Sequence, residues 1–156
     1  MTEYVVAVTR PIAAPASAIF ALLADPAKHS SFDGSGTVRR AVATASARLT
    51  LGARFGMDMR LGLPYRITNT VVEFEEGRRI AWRHVGGHVW RYRLEPSADG
   101  MATVVTEEFD WTNAGSRLFI RLVGYPERNR RAIEATLARL DALVTRRARP
   151  EPDPSR

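Results

Sequence analysis

The chain has 156 residues, no cysteine and a formal net charge of +6 at pH 7, with a pI near 10.6. That length fits one domain with a sizeable core; the composition excludes a disulfide framework and thiolate chemistry, and no run approaches the ~18 apolar residues of a membrane span. All but Lys28 of the 23 basic residues are arginine, scattered rather than gathered in a stripe, which speaks against a nucleic-acid partner.

Met1-Thr-Glu-Tyr4 lacks the basic start and apolar stretch of a signal peptide, so a cytoplasmic location is expected. Residues 4–12 are rich in β-branched side chains and read as a strand. Pro15 opens a helix over 16–24 with Ile19, Phe20, Leu22 and Leu23 on its apolar side, and Pro26 ends it. A second helical turn over 26–31 leads into the loop Phe32-Asp33-Gly34-Ser35-Gly36, which could lid a pocket mouth. Strands follow at 38–46, 54–61, 65–74, 79–85, 89–95 and 103–111. Ser116–Val123 is more apolar than a solvated turn. A buried short helix is the plainer account of it, with a cavity gate or a dimer contact as alternatives.

From Pro126 to Thr145 the apolar residues Ile133, Leu137, Leu140 and Val144 recur at spacings of four, three and four. That is one stripe of a 3.6-residue period. Arg128, Arg130, Arg131, Glu134, Arg139 and Asp141 occupy the other face. About twenty residues at ~1.5 Å rise give a rod of roughly 30 Å, long enough to cross a sheet. The reading is therefore one domain over residues 1–147, with 148–156 as a proline- and charge-rich disordered tail.

Alternation along the strands assigns faces. A three-residue loop, Gly86-Gly87-His88, keeps partners on one side of the sheet and pairs His84 with Trp90, Trp82 with Tyr92 and Ile80 with Leu94. On the next hairpin Leu94 faces Val105, Tyr92 faces Glu107 and Trp90 faces Phe109, while Arg91 meets Glu108 on the outer face. The inner face then collects Met57, Met59, Trp82, Trp90, Phe109 and Trp111 around Glu107, His84 and Tyr92. Aromatic and sulfur-rich with a few polar atoms, it is suited to an apolar ligand; Phe32 and Ile133 add to it from the loop and the helix.

Glu107 is the sharpest candidate for chemistry. A carboxylate beside Tyr92 in an apolar cavity has its pKa raised toward general acid–base use. A His84–Glu107 couple could move protons in a cyclisation or dehydration. The plainer alternatives are a shifted strand that turns Glu108 inward, a Glu107 paired with an arginine of the long helix, and a His84 satisfied at the rim. His29 and His88 show no metal-ligand spacing with a carboxylate, so neither a metal nor a cofactor is expected.

Residues 9–26, 73–82, 90–96 and 104–111, followed by the long helix, resemble the START-related, Bet v 1-like helix-grip superfamily. The match covers roughly residues 3–145 and is nearest the branch of polyketide cyclase/dehydrase and lipid-transport proteins. Phe32 departs from it, because many relatives carry Trp there. The resemblance implies an α+β helix-grip fold, a curved antiparallel sheet wrapped around a long C-terminal helix with two short N-terminal helices. It brings no catalytic motif, since binders, transporters and cyclases share the scaffold. The expected function is binding of a small hydrophobic or aromatic ligand, polyketide- or lipid-like, between sheet and helix. A polyketide cyclase/dehydratase-type enzyme and a protein-interaction module are the alternatives, and a homodimer is left open.

Overall fold

A computed structural model of the chain describes residues 4–42 and 48–148. Seven antiparallel strands form one sheet: β1 (Val5–Ile12), β2 (Val38–Ala41), β3 (Arg54–Leu61), β4 (Leu63–Glu75), β5 (Arg79–His84), β6 (Val89–Pro96) and β7 (Thr103–Asp110), in the order β1-β7-β6-β5-β4-β3-β2. Helices α1 (Ala16–Leu23) and α2 (His29–Phe32) follow β1, while α3 (Arg117–Leu122) and the long α4 (Tyr125–Ala148) close the chain. This is the helix-grip architecture. Among the described residues no helix is long and apolar enough to cross a membrane.

Each element has a local cause. Pro15 stands at the N-cap of α1 with extended backbone (φ −62°, ψ 145°), the conformation its ring favours. The Asp25 carboxylate then accepts from the Ala27 N–H, and a 3-10 turn, Pro26–Lys28, carries the chain into α2. β4 starts two residues earlier than its alternation suggests, because Pro64 is accommodated opposite Arg60 near the strand's first residue. β2 ends at Ala41; the rest of the strand expected over 38–46 falls mostly outside the described residues, as does nearly all of the tail.

The long helix presents its stripe as its spacing requires. Ile133, Leu137, Leu140 and Val144 are all buried, in one cluster with Ile19, Phe20, Leu22 and Leu23 of α1 and the inner face of the sheet. α4 packs against β1 and β7, and its Asp141 pairs with Arg10 of β1 at 2.8 Å. On the outer face Arg91 holds Glu108 at 2.9 Å, the expected cross-strand pair, and also binds Glu73 of β4 through several hydrogen bonds. That bonding holds the Glu73 carboxyl below its usual range and the Arg91 guanidinium above its own.

Two expectations are corrected. The β6–β7 register is as read: Leu94 opposite Val105, Tyr92 opposite Glu107, Trp90 opposite Phe109. The β5–β6 register is not. Trp82 faces Trp90 and Ile80 faces Tyr92, two residues away from the expected pairing. The loop does have three residues, but they are Val85, Gly86 and Gly87: the His84 N–H donates to the His88 carbonyl, and the Gly87 N–H to that of His84. Such a loop ends on a left-handed residue, and Gly87 at φ +89° adopts it without the strain that His88 would carry. A shift of two preserves parity, so every side chain keeps its face. The second correction is α3, which has no buried residue; Leu118, Phe119 and Leu122 are exposed.

Candidate functional site

A cavity of about 890 Å³ lies between the inner face of the sheet and the first half of α4. β3 contributes Phe55, Met57 and Met59, β5 contributes Trp82 and His84, β6 contributes Trp90 and Tyr92, and β7 contributes Glu107 and Phe109. Ile133 and Thr136 of α4 and Phe32 of α2 complete the wall. Leu61, Tyr65, Ile120, Tyr125 and Arg128 also border it, and the exposure of Leu61, Tyr65 and Arg128 marks its mouth. α4 thus divides its work. Its first turns roof the cavity, while Leu137, Leu140 and Val144 belong to solid core.

Every site residue expected from the sequence borders this cavity except Trp111. That indole is buried against Tyr4, edge-on with ring centroids 5.0 Å apart, and its Nε1 has no partner among the described residues. The inner face extends beyond the cavity, and at the β1 end ordinary core fills it.

Glu107 is 3% exposed and faces inward; Glu108 points to the arginines on the other side. The Tyr92 hydroxyl donates to Glu107 Oε1 at 2.8 Å, and Oε2 has no partner among the described residues. Burial lifts the carboxyl to about 8, a rise that the Tyr92 hydrogen bond opposes and the negative charge of Asp33 reinforces. At neutral pH the group is therefore mostly protonated, a hydrogen-bond donor in an apolar wall. Burial of Tyr92, reinforced by the Glu107 carboxyl beside it, drives the phenol well above its ordinary range. Neither an arginine of the long helix nor His84 reaches Glu107. His84 instead accepts from the Gly86 N–H through Nδ1 at 3.0 Å and stacks on His88 at 4.4 Å. The proton-moving His84–Glu107 couple is therefore not assembled.

Two cavity residues had little sequence signal. His29 is buried, with its ring stacked on Trp82 at a centroid distance of 4.9 Å. Its Nε2 lies 2.8 Å from the Leu23 carbonyl, an acceptor only, so Nε2 carries the proton. Burial lowers its pKa to about 4, keeping the imidazole neutral. The i,i+3 spacing to Phe32 was the available clue. Asn69, buried on β4, interrupts the inward series Ile67–Val71; a polar residue in an apolar alternation was its clue.

The loop after α2 is clamped to the roof. The Gly34 N–H donates to Thr136 Oγ1 at 2.9 Å, and Arg139 Nη1 donates to the Asp33 carbonyl. A Cβ on Gly34 would sit 2.4 Å from the Thr136 nitrogen and 2.5 Å from the Ala132 carbonyl oxygen, so only glycine allows this approach. Gly34→Ala is expected to cost about 1–3 kcal/mol in urea unfolding by overpacking against helix backbone. Gly115→Ala, where a Cβ meets nothing within 4 Å, is its matched control and should stay within ~0.5 kcal/mol. Equal effects would show that the loop is not clamped.

Among the described residues no cluster of three or more His, Cys, Asp or Glu side chains could hold a metal ion. Known proteins share the fold. The uncharacterized protein Rv0088 of Mycobacterium tuberculosis is 42% identical over 140 residues, covering 86% of this chain; the chain spans 62% of that relative's length. Protein NE0264 from Nitrosomonas europaea superposes with a TM-score of 0.72 at 16% identity, covering 95% of this chain and 98% of its own. A Thalictrum norcoclaurine synthase point mutant, in complex with a transition-state analogue, gives 0.69 at 14% identity, covering 93% and 96%. At those identities the two structures speak for the fold. The family described as polyketide cyclase / dehydrase and lipid transport matches residues 4–145, nearly the whole described chain, and the protein belongs to that family within the START-related, Bet v 1-like superfamily.

Proposed function

We propose that the protein binds a small hydrophobic or aromatic molecule, polyketide- or lipid-like, in the cavity between its sheet and α4. The observation that carries this reading is the cavity itself: about 890 Å³, with Trp, Phe and Met side chains from the sheet on one side and polar and charged groups from the loop after α2 and the first turns of α4 on the other. That is the size and lining of a small-molecule site rather than of packing defects in a core. The wall is also pre-formed: Trp90 rests on Phe109 at 4.9 Å and Trp82 on His29, so a planar guest meets rings already held in place.

Titration with the neutral dye N-phenyl-1-naphthylamine tests it through tryptophan fluorescence. Saturable quenching is expected. Trp90→Ala should weaken it about 2- to 10-fold, the worth of one aromatic contact. Quenching that never saturates, or that ignores Trp90→Ala, would remove the cavity reading.

A second reading, cyclisation or dehydration of a polyketone in the same cavity, is favoured by the protonated Glu107 carboxyl beside Tyr92. Glu107 would act as general acid there, with Tyr92 orienting it. Turnover of a cyclisable polyketone by the wild type, lost in Glu107→Gln, separates enzyme from carrier.

A further inference from the structure

Resting on the binding reading above, we propose that Glu107 is the polar anchor of the cavity and selects ligands carrying an uncharged hydrogen-bond acceptor, a ketone or ester carbonyl, on an apolar or aromatic body. The geometry supplies the reason. Oε1 is taken by the Tyr92 hydroxyl, while Oε2 is buried and unanswered by any described residue. An unpartnered carboxyl in an apolar wall costs free energy that a complementary ligand atom recovers. With Tyr92 donating to Oε1, the carboxyl proton belongs on Oε2, and what that proton requires is an acceptor. A ligand carboxylate would bring a second negative charge toward Asp33, whose charge already acts on Glu107. A ligand ammonium would force ionisation of Glu107 and bury an ion pair, with both charges stripped of water.

The charged and titratable neighbours come from every wall of the cavity. β6 supplies Tyr92, β4 supplies Tyr65, the start of α4 supplies Tyr125, the loop after α2 supplies Asp33, and α2 supplies His29. The β5–β6 hairpin supplies His84 and His88, and α4 supplies Glu127, Arg128 and Arg131 in its first turns. Burial pushes all three histidines below their ordinary value and Tyr92 above its own. These shifts move the histidines and Tyr92 away from pH 8, where the Glu107 carboxyl changes charge. Below about 8 it donates a proton; above that it is a carboxylate that repels a carbonyl oxygen.

Four probes of nearly equal shape test this by calorimetry: 2-acetylnaphthalene, 2-isopropylnaphthalene, 2-naphthoate and 1-(2-naphthyl)ethylamine. At pH 7 the ketone is expected to bind the wild type roughly 3- to 10-fold tighter than the isopropyl compound, the worth of one hydrogen bond. That preference should vanish above pH 8. Glu107→Gln still offers an N–H donor, so it should keep the preference and carry it unchanged through pH 9. In Glu107→Leu the two neutral probes should bind alike; if that variant does not fold, the pH profile of Glu107→Gln decides. Equal binding of the two neutral probes to the wild type overturns the anchor and leaves the cavity reading standing. Tightest binding of the naphthoate or the amine overturns it as well. Uptake of neither neutral probe overturns both.

Discussion

Leu137→Ala is expected to lower folding stability by about 2–5 kcal/mol, the usual cost of emptying a buried leucine site. Leu137 is 1% exposed and lies beyond the cavity, where α4 closes on β1 and β7, so no ligand space can absorb the missing atoms. Its neighbours Leu140 and Ile133 on the same stripe are equally buried, and the sheet beneath is held in register by its own ladder. Relaxation into the void is therefore limited, which places the loss toward the upper part of that range. Leu122→Ala is the contrast. That leucine is 76% exposed on α3, and its removal should change stability by no more than ~0.5 kcal/mol. Urea unfolding of both variants checks the pair. A Leu137→Ala loss below about 0.5 kcal/mol would mean that the stripe does not face the sheet.

The face of each inner residue was legible because strand parity is a strong constraint. Trp82, Trp90, Tyr92, Glu107 and Phe109 all stand on the side that alternation assigns them, and the β6–β7 register set by pairing Leu94 with Val105 brings Arg91 onto Glu108 on the outer side as expected. Which residue opposes which was less legible where a loop decides it. At the β5–β6 hairpin three residues bridge the strands, and the position needing left-handed backbone determines where they start. Weighing Gly87 against His88 for that position would have placed the loop correctly. Trp111 shows a different limit. Alternation gives a face, but whether that face meets cavity or core depends on the packing of Tyr4 from β1's entry, a contact 107 residues away in sequence. α3 shows a third: its apolar residues resemble a buried helix in composition, and nothing local records that no element among the described residues covers Leu118, Phe119 and Leu122. His29 sits on a four-residue helix, where the i,i+3 spacing to Phe32 is a single pair and too little by itself to announce an inward face.

The last expectation concerns how stability varies with pH, and its sign follows from Glu107 and the histidines together. The Glu107 carboxyl is at about 8 in the folded protein against an ordinary 4.5, so between those values the unfolded chain has released a proton that the folded one retains. Stability contributed by this group therefore falls as pH rises through that interval, at ~1.4 kcal/mol per pH unit. His29 and His88 act oppositely. Their folded values of about 4 lie below the ordinary 6.5, so each makes the protein more stable as pH climbs from 4 through 6.5, with only a remainder gained above it while the unfolded histidines finish releasing their protons. From pH 6.5 to 8 the Glu107 slope therefore dominates. Wild-type stability is expected to drop by about 1 kcal/mol across that interval, because the histidine remainder and the onset of Glu107 ionisation near pH 8 offset part of the ~1.4 kcal/mol per unit. Glu107→Gln has no such proton to lose and should hold or rise slightly there, gaining on the wild type at every step toward pH 8. Urea midpoints of the two proteins at pH 6.5, 7.25 and 8 supply the measurement. Parallel curves would mean that Glu107 is already ionised at pH 6.5, and the buried, protonated carboxyl would have to be abandoned.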